Sequence, residues 1–341
     1  MLVNLDAEEN LPSGWRPEPI GDGLQPGVTL EFGRPLRPTD RGFAVKIQRR
    51  MHYGPRKHIA SQRQRLDALQ FDHFEATLQS PCLGAEIRGV DLSKPANPAL
   101  LRELETALVE FKVLFFRDQD LSQRQHADFA SQFGELEDHP FLPAGETPKV
   151  IRFAKDETTV GVENNWHSDV SWRQEPSLGS VLRAYEVPDV GGDTLWADME
   201  SVYEGLPDEV KEYIDRLNAV HDFIHTFGLG LSEEERERKR EEFPPASHPM
   251  VRTHPETKRR CLYVNRIFTS HIEGLDREES DDLLDFLYRE VEVAEYQVRF
   301  KWAANSVAFW DNRSTQHLAI SDYWPRKRVM ERLTIIGDRP N

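Results

Sequence analysis

Two cysteines in 341 residues, Cys82 and Cys261, are too few and too far apart to define a disulfide framework, and neither belongs to a C-x-x-C site. Both read as buried or idle thiols. No apolar run approaches the roughly 18 to 20 residues that a bilayer crossing needs, which argues against a membrane partner. Residues 1–10 are acidic and lack an apolar stretch, so neither a secretory signal nor a transit peptide is visible and a cytoplasmic protein is expected. Positive charge is the scarcer sign, with 43 Lys and Arg against 59 Asp and Glu. The formal net charge of -16 disfavours general affinity for nucleic acid or anionic membrane. No internal repeat is present.

One stretch runs against the acidic trend. Residues 34–65 hold ten Lys or Arg and a single acid, Asp40. Such an arm could bind an acidic partner or RNA, but a surface wrap that pairs with the acidic body or with a neighbouring subunit is the more frequent use and is expected here. Gly21, Gly23, Gly33, Pro35 and Pro38 suggest that the first thirty or forty residues are largely irregular. The chain is therefore divided into an N-terminal extension, residues 1–70, and a domain, residues 71–341.

What is present past the arm is a mixture of both periodicities, supported by 38% hydrophobic residues. Asn97 and Pro98 predict an N-cap and first helical position, with Leu101, Leu104 and Leu108 on one face. Residues 113–116 read as a buried strand. Ser122 with Gln125 forms a capping-box pattern ahead of a helix carrying Phe129 and Phe133. Asp276 can cap another helix, with Leu283, Leu284, Leu287 and Val291 turned inward. Residues 296–300, 306–310 and 333–336 read as strands. Residues 232–242, dense in Glu and Arg, predict an exposed helix in an insertion, of a kind that sometimes acts as a lid.

The chemistry concentrates in His167-Ser168-Asp169 and the distant His317. Two imidazoles and a carboxylate can fill one face of an octahedral metal and leave three positions open, as in non-heme Fe(II) oxygenases. Alternation in an extended segment would put His167 and Asp169 on one side and Ser168 on the other. His317 follows an aromatic run through a polar turn, residues 311–314. Arg328 and Arg332 come next, one helical or two strand repeats apart.

These segments, NNWHSDVSW, GGDTLWADM and WDNRSTQHLAISDYWPRKRVMERLTIIGD, closely resemble the taurine dioxygenase (TauD/TfdA) family of Fe(II)- and 2-oxoglutarate-dependent dioxygenases, over residues 76–338. The resemblance implies an α+β, mainly β fold, a double-stranded β-helix (jelly roll) core with flanking helices. It implies iron held by His167, Asp169 and His317, and 2-oxoglutarate clamped by Arg328 with a hydroxyl contact from Thr194. A planar guanidinium suits that role, because it pairs with a carboxylate through two charge-assisted hydrogen bonds. O₂ is the other co-substrate, and a homo-oligomer is the common assembly.

For the substrate, the family's sulfonate pocket maps onto His139, Arg332, Phe227 and Phe268. A cation, a donor and an aromatic wall suit a small organic anion. The family's taurine-site tyrosine and asparagine are replaced by Leu142 and Glu163, so the expected class is a sulfonate, sulfate ester or carboxylate rather than taurine itself. Hydroxylation beside sulfur or oxygen would lead to C–S or C–O cleavage. An amino acid or carboxylate hydroxylase or desaturase is the alternative. A binding protein without turnover and a zinc hydrolase with Glu163 as base complete the readings.

The remaining histidines read as structural. His221 and His225 could share a helical face as a zinc pair but lack a third ligand. His248, His254 and His271 are expected as surface or capping groups. Trp166, Trp172, Trp196, Trp302 and Trp310 are expected to pack the core near the sheet and metal.

Overall fold

The computed structural model describes residues 55–142, 147–159 and 164–341, preceded by the backbone of a strand pair, Thr29–Leu30 with Met51–His52. Glu163 and most of the basic arm lie outside the described residues.

Six strands come first along the domain: β1 (Glu75–Leu78), β2 (Ala85–Arg88), β3 (Val113–Phe116), β4 (Ile151–Lys155), β5 (Ser177–Glu186) and β6 (Thr194–Asp198). Then follow β7 (Asn218–His221), β8 (Ala246–Pro249), β9 (Thr269–Ile272), β10 (Gln297–Phe300), β11 (Val307–Asp311), β12 (Thr315–Ala319) and β13 (Arg328–Ile336). A seven-stranded sheet runs β1-β2-β3-β11-β5-β13-β4, and a three-stranded sheet runs β10-β6-β12. Their inner faces meet in one apolar layer in which Phe115, Ala184, Trp310 and Met330 of the large sheet pack on Trp196, Val298 and Phe300 of the small one. Phe115 stacks on Phe300 with centroids 4.2 Å apart. Two sheets pressed together across side chains are the sandwich expected of a jelly roll. β11 is buried at every position because it is central in the sheet and covered on both faces, which is why its sequence runs apolar without alternation.

The longer helices are α1 (Lys57–Asp67), α2 (Pro98–Phe111), α3 (Gln123–Ala130), α4 (Glu233–Glu242) and α5 (Arg277–Val291), beside two of seven residues, Met199–Gly205 and Asp208–Ile214, and a further strand pair, Val251–Thr253 with Arg260–Leu262. The predicted caps are all formed. Asn97 accepts from the amides of Ala99 and Leu100, and Ser122 with Gln125 closes a capping box. Asp276 caps α5, and α4 has no buried residue. Helices α2 and α3 cover the outer face of the large sheet.

The end of the arm that is described turns inward. In α1, Arg65 pairs with Glu110 and Glu200, and Gln62 accepts from Ser201. Just ahead of it, Arg56 donates to the Tyr296 hydroxyl at 2.7 Å. Arg56 also faces Glu295 at 3.8 Å, so both cations lie against acids of the same chain. No helix among the described residues is long and apolar enough to cross a membrane.

Candidate active site

The two histidines of the motif meet through their backbones. His167 and His317 form an antiparallel bridge, His317 N–H donating to His167 O at 2.8 Å and His167 N–H to His317 O at 3.1 Å. This sets the imidazoles side by side with centroids 4.2 Å apart. Asp169 completes the group: one ligand-capable atom from each residue lies within 4.8 Å of the others. Its Oδ1 is 3.8 Å from His167 Nε2 and 4.0 Å from His317 Nε2.

The expected extended segment stops one residue short. Ser168 does point away, its hydroxyl donating to Thr315 O at 2.9 Å. Asp169 then opens a turn in which Val170 takes φ 45°, a rare conformation for a β-branched residue. Asn312 holds that turn. Its Oδ1 accepts from Asp169 N at 2.7 Å, and its Nδ2 donates to Asp169 O and Ser177 Oγ, both at 2.9 Å. Neither Asn312 nor Ser180, which donates to Asp169 Oδ2 at 3.0 Å, was singled out by sequence. The only signal was a polar run, residues 311–314, between two strands; it is a turn as expected, but a fully buried one.

A cavity of about 100 Å³ opens beside His167 and His317 and extends to Thr194, Tyr323 and Arg328, with Arg332 also on its wall. Arg328, Met330 and Arg332 share a face of β13 because a strand repeats every two residues. Arg328 Nε donates to Gly192 O at 3.0 Å. A side chain on Gly192, at φ +71°, would stand 3.0 Å from the Arg328 stem, so this glycine lets the arginine pass. Thr194 Oγ1 accepts from Trp302 Nε1 at 3.0 Å, which leaves its own O–H as a donor.

His139, Phe227 and Phe268 form a row that ends at the histidine pair. Ring centroids are 5.3 Å apart for His139 and Phe227, 6.2 Å for Phe227 and Phe268, and 6.3 Å for Phe268 and His167. Arg332 lines the cavity and donates from Nη1 to Asp169 Oδ1 at 2.7 Å.

Residues 75–334 match the family model described as "Taurine catabolism dioxygenase TauD, TfdA family". The chain belongs to the TauD/TfdA family. It is 36% identical over 264 residues to an alkylsulfatase of Acinetobacter baylyi, a match covering 75% of this chain and 83% of the relative. An α-ketoglutarate-dependent sulfate ester dioxygenase of Pseudomonas putida is 35% identical over 266 residues, covering 76% of this chain and 88% of the relative. The crystal structure of a taurine dioxygenase from Burkholderia xenovorans superposes with a TM-score of 0.69 at 35% identity, covering 79% of this chain and 91% of the other. The protein is thus an α-ketoglutarate-dependent dioxygenase, and the zinc-hydrolase and pure-binding readings fall away.

The electrostatics of the TauD/TfdA site suit Fe(II). Burial alone would raise the Asp169 carboxyl, but Arg332 and the two imidazoles outweigh it and hold the group well below the usual carboxylate range. Burial, with His167 next to it, lowers His317 to about 3, so its ring is neutral. His167 Nδ1 lies 2.9 Å from Asn165 O, which can only accept, so Nδ1 carries the proton and Nε2 keeps its lone pair. Two imidazoles, with His167 Nδ1 turned to a carbonyl, and an ionised carboxylate fit a divalent iron. Burial and Arg332 likewise lower His139 to about 3; its Nδ1 accepts from the amides of Phe141 and Leu142, which leaves Nε2–H as a donor.

Of the other histidines, His248 departs from expectation. It is buried rather than at the surface. His254, also buried, is indeed a capping group, its Nδ1 accepting from the amides of Glu256 and Thr257, while its Nε2 meets Asp311 Oδ2 at 3.0 Å. His221 lies at a strand end and His225 in a 3-10 turn, so they share no helical face. His271 is exposed as expected, and all five tryptophans pack inside.

Proposed function

We propose that this dioxygenase oxidises a small sulfate ester at the carbon bearing the sulfate, with His167, Asp169 and His317 holding iron. Bound Fe(II) supplies O₂ activation coupled to decarboxylation of 2-oxoglutarate. Arg328 would pair with the distal carboxylate of 2-oxoglutarate while Thr194 donates its hydroxyl. His139 Nε2–H and the Arg332 guanidinium would take the sulfate head, and Phe227 and Phe268 would lie along the apolar tail. The row of rings also keeps water from the reacting carbon. The hydroxylated product collapses with C–O cleavage: ester, O₂ and 2-oxoglutarate become aldehyde, inorganic sulfate, succinate and CO₂.

The observation that carries this reading is the cavity joining the histidine pair to Arg328, with a second arginine on the same wall. The names of the two curated relatives, together with Leu142 in place of a polar contact, favour an ester with an apolar tail over taurine. The test supplies Fe(II), ascorbate and 2-oxoglutarate with a panel of alkyl sulfates, sulfonates and carboxylates, reading succinate, sulfate and sulfite. Equimolar succinate and sulfate from an alkyl sulfate is expected. Sulfite from sulfonates alone, or hydroxylated carboxylate alone, would overturn the substrate class.

A further inference from the structure

Behind the site, fully buried, four residues from distant parts of the chain close a ring of hydrogen bonds. Ser171 follows Asp169 by two positions in the same turn. Asn265 Nδ2 donates to Ser171 Oγ at 2.8 Å, while Asn265 Oδ1 accepts from Phe268 N at 2.9 Å. The amide of Phe268 can only donate, which fixes the orientation of the Asn265 side chain. Ser171 Oγ therefore accepts from Asn265, and it pairs with His221 Nδ1, 3.0 Å away. The opposite ring nitrogen of His221 faces Thr269 Oγ1 across a long 3.5 Å contact. Thr269 Oγ1 in turn accepts from Asn265 N at 2.9 Å, closing the ring. Burial and the nearby His248 keep His221 uncharged.

Three further bonds make the ring stiff. His248 Nε2 reaches Ser171 O at 3.0 Å and Arg173 O at 2.9 Å, and Asp222 N donates to Phe268 O at 2.9 Å. Ser171 is thus held at both its side chain and its carbonyl, and Phe268 at both its amide and its carbonyl. A closed polar network in a low-dielectric interior strengthens each of its members. Nothing in this arrangement touches the cavity, and its burial bars it from acid-base work.

We propose that Ser171, His221, Asn265 and Thr269 are positioning residues that set the distance between Asp169 and Phe268, and so the alignment of the substrate's C–H bond with the oxidising centre. The inference rests on the reading that Phe268 lines the organic substrate. It assigns these residues no part in 2-oxoglutarate binding, because Arg328 and Thr194 stand on strands outside the ring. Loosening the ring separates two events that are normally tied: 2-oxoglutarate is still consumed, but less of the oxidising power reaches substrate.

The test uses full-length Ser171→Ala and the pair His221→Ala and His221→Asn, the latter keeping a polar group near the place of Nδ1. Phe268→Ala serves as reference, and the best substrate of the panel above is used whatever its class. Measured are KM for each substrate, kcat, product formed per 2-oxoglutarate consumed, and Tm. Misplacement by about 1 Å can cost up to about a hundredfold, so KM for the organic substrate should rise about tenfold in Ser171→Ala. The product ratio should fall, KM for 2-oxoglutarate should hold, and His221→Asn should recover part of what His221→Ala loses. If Phe268→Ala raises the organic KM but Ser171→Ala and His221→Ala only lower Tm, the ring is scaffolding and the inference fails. If Phe268→Ala leaves the organic KM unchanged, the wall reading fails and takes the inference with it.

Discussion

The proposed co-substrate and substrate ends of the site are made in different ways. At the co-substrate end, Arg328 and Thr194 sit at the first positions of β13 and β6, and His317 lies within β12, so their places are set by sheet register. At the substrate end, His139, Phe227 and Phe268 come from irregular segments, linked by ring contacts rather than a backbone ladder. On the proposed reading the strand end would present its groups to a dicarboxylate that never changes. The turn end can vary in length and sequence without opening a sheet, and selectivity would reside there.

The sharpest way to break this contrast is to remove what both ends share. His167→Ala should reduce succinate release by more than about 100-fold, since even the partners of metal ligands are worth 10- to 100-fold. Its far-UV circular dichroism should be unchanged. Full turnover by that variant at ordinary Fe(II) would refute the metal assignment. Arg328→Met should act on one end alone. A hydrogen bond to a charged group contributes about 1.5–3 kcal/mol, so KM for 2-oxoglutarate should rise about 10- to 100-fold. An equal rise in the KM for the organic substrate would erase the distinction between the ends.

Phe227→Ala gives the converse. Losing most of a buried aromatic contact, about 1.5 kcal/mol or more, should raise the organic KM about tenfold and leave that for 2-oxoglutarate in place. The smallest effect concerns the sheet behind the co-substrate end. His126 on α3 meets Val181 O of β5 at 3.2 Å, and burial, with Arg183 nearby, lowers it to about 3. A histidine whose folded value lies below its ordinary 6.5 contributes stability that is complete above 6.5 and is lost as pH falls toward 3. Urea midpoints should therefore drop from pH 7 to pH 5, and His126→Gln should flatten the slope by up to about 1.4 kcal/mol per pH unit. An unchanged slope would mean that other groups govern acid sensitivity.

The strand end was also the more legible in sequence. His167, Asp169 and the capped helices follow from local patterns, while the roles of His317 and Arg328 came with the family resemblance. Asn312 and Ser180 did not stand out, because a polar residue that braces a ligand through a buried turn looks like any loop residue until the turn is known to be covered. His248 was misplaced for the same reason: a neighbouring proline suggests surface, whereas its Nε2 is occupied inside the protein by the carbonyls of Ser171 and Arg173. The turn at Val170 broke an alternation that one residue of left-handed backbone was enough to end.

The bridge between His167 and His317 has a bearing on the history of each molecule. Those two residues lie far apart along the chain, so their pairing is a late, non-local closure of the kind that delays folding until the sheets have formed. A half-synthesised or misfolded chain brings no such trio of donors together and gathers no iron. The capacity to handle a damaging oxidant is thereby withheld until the walls that contain it are standing.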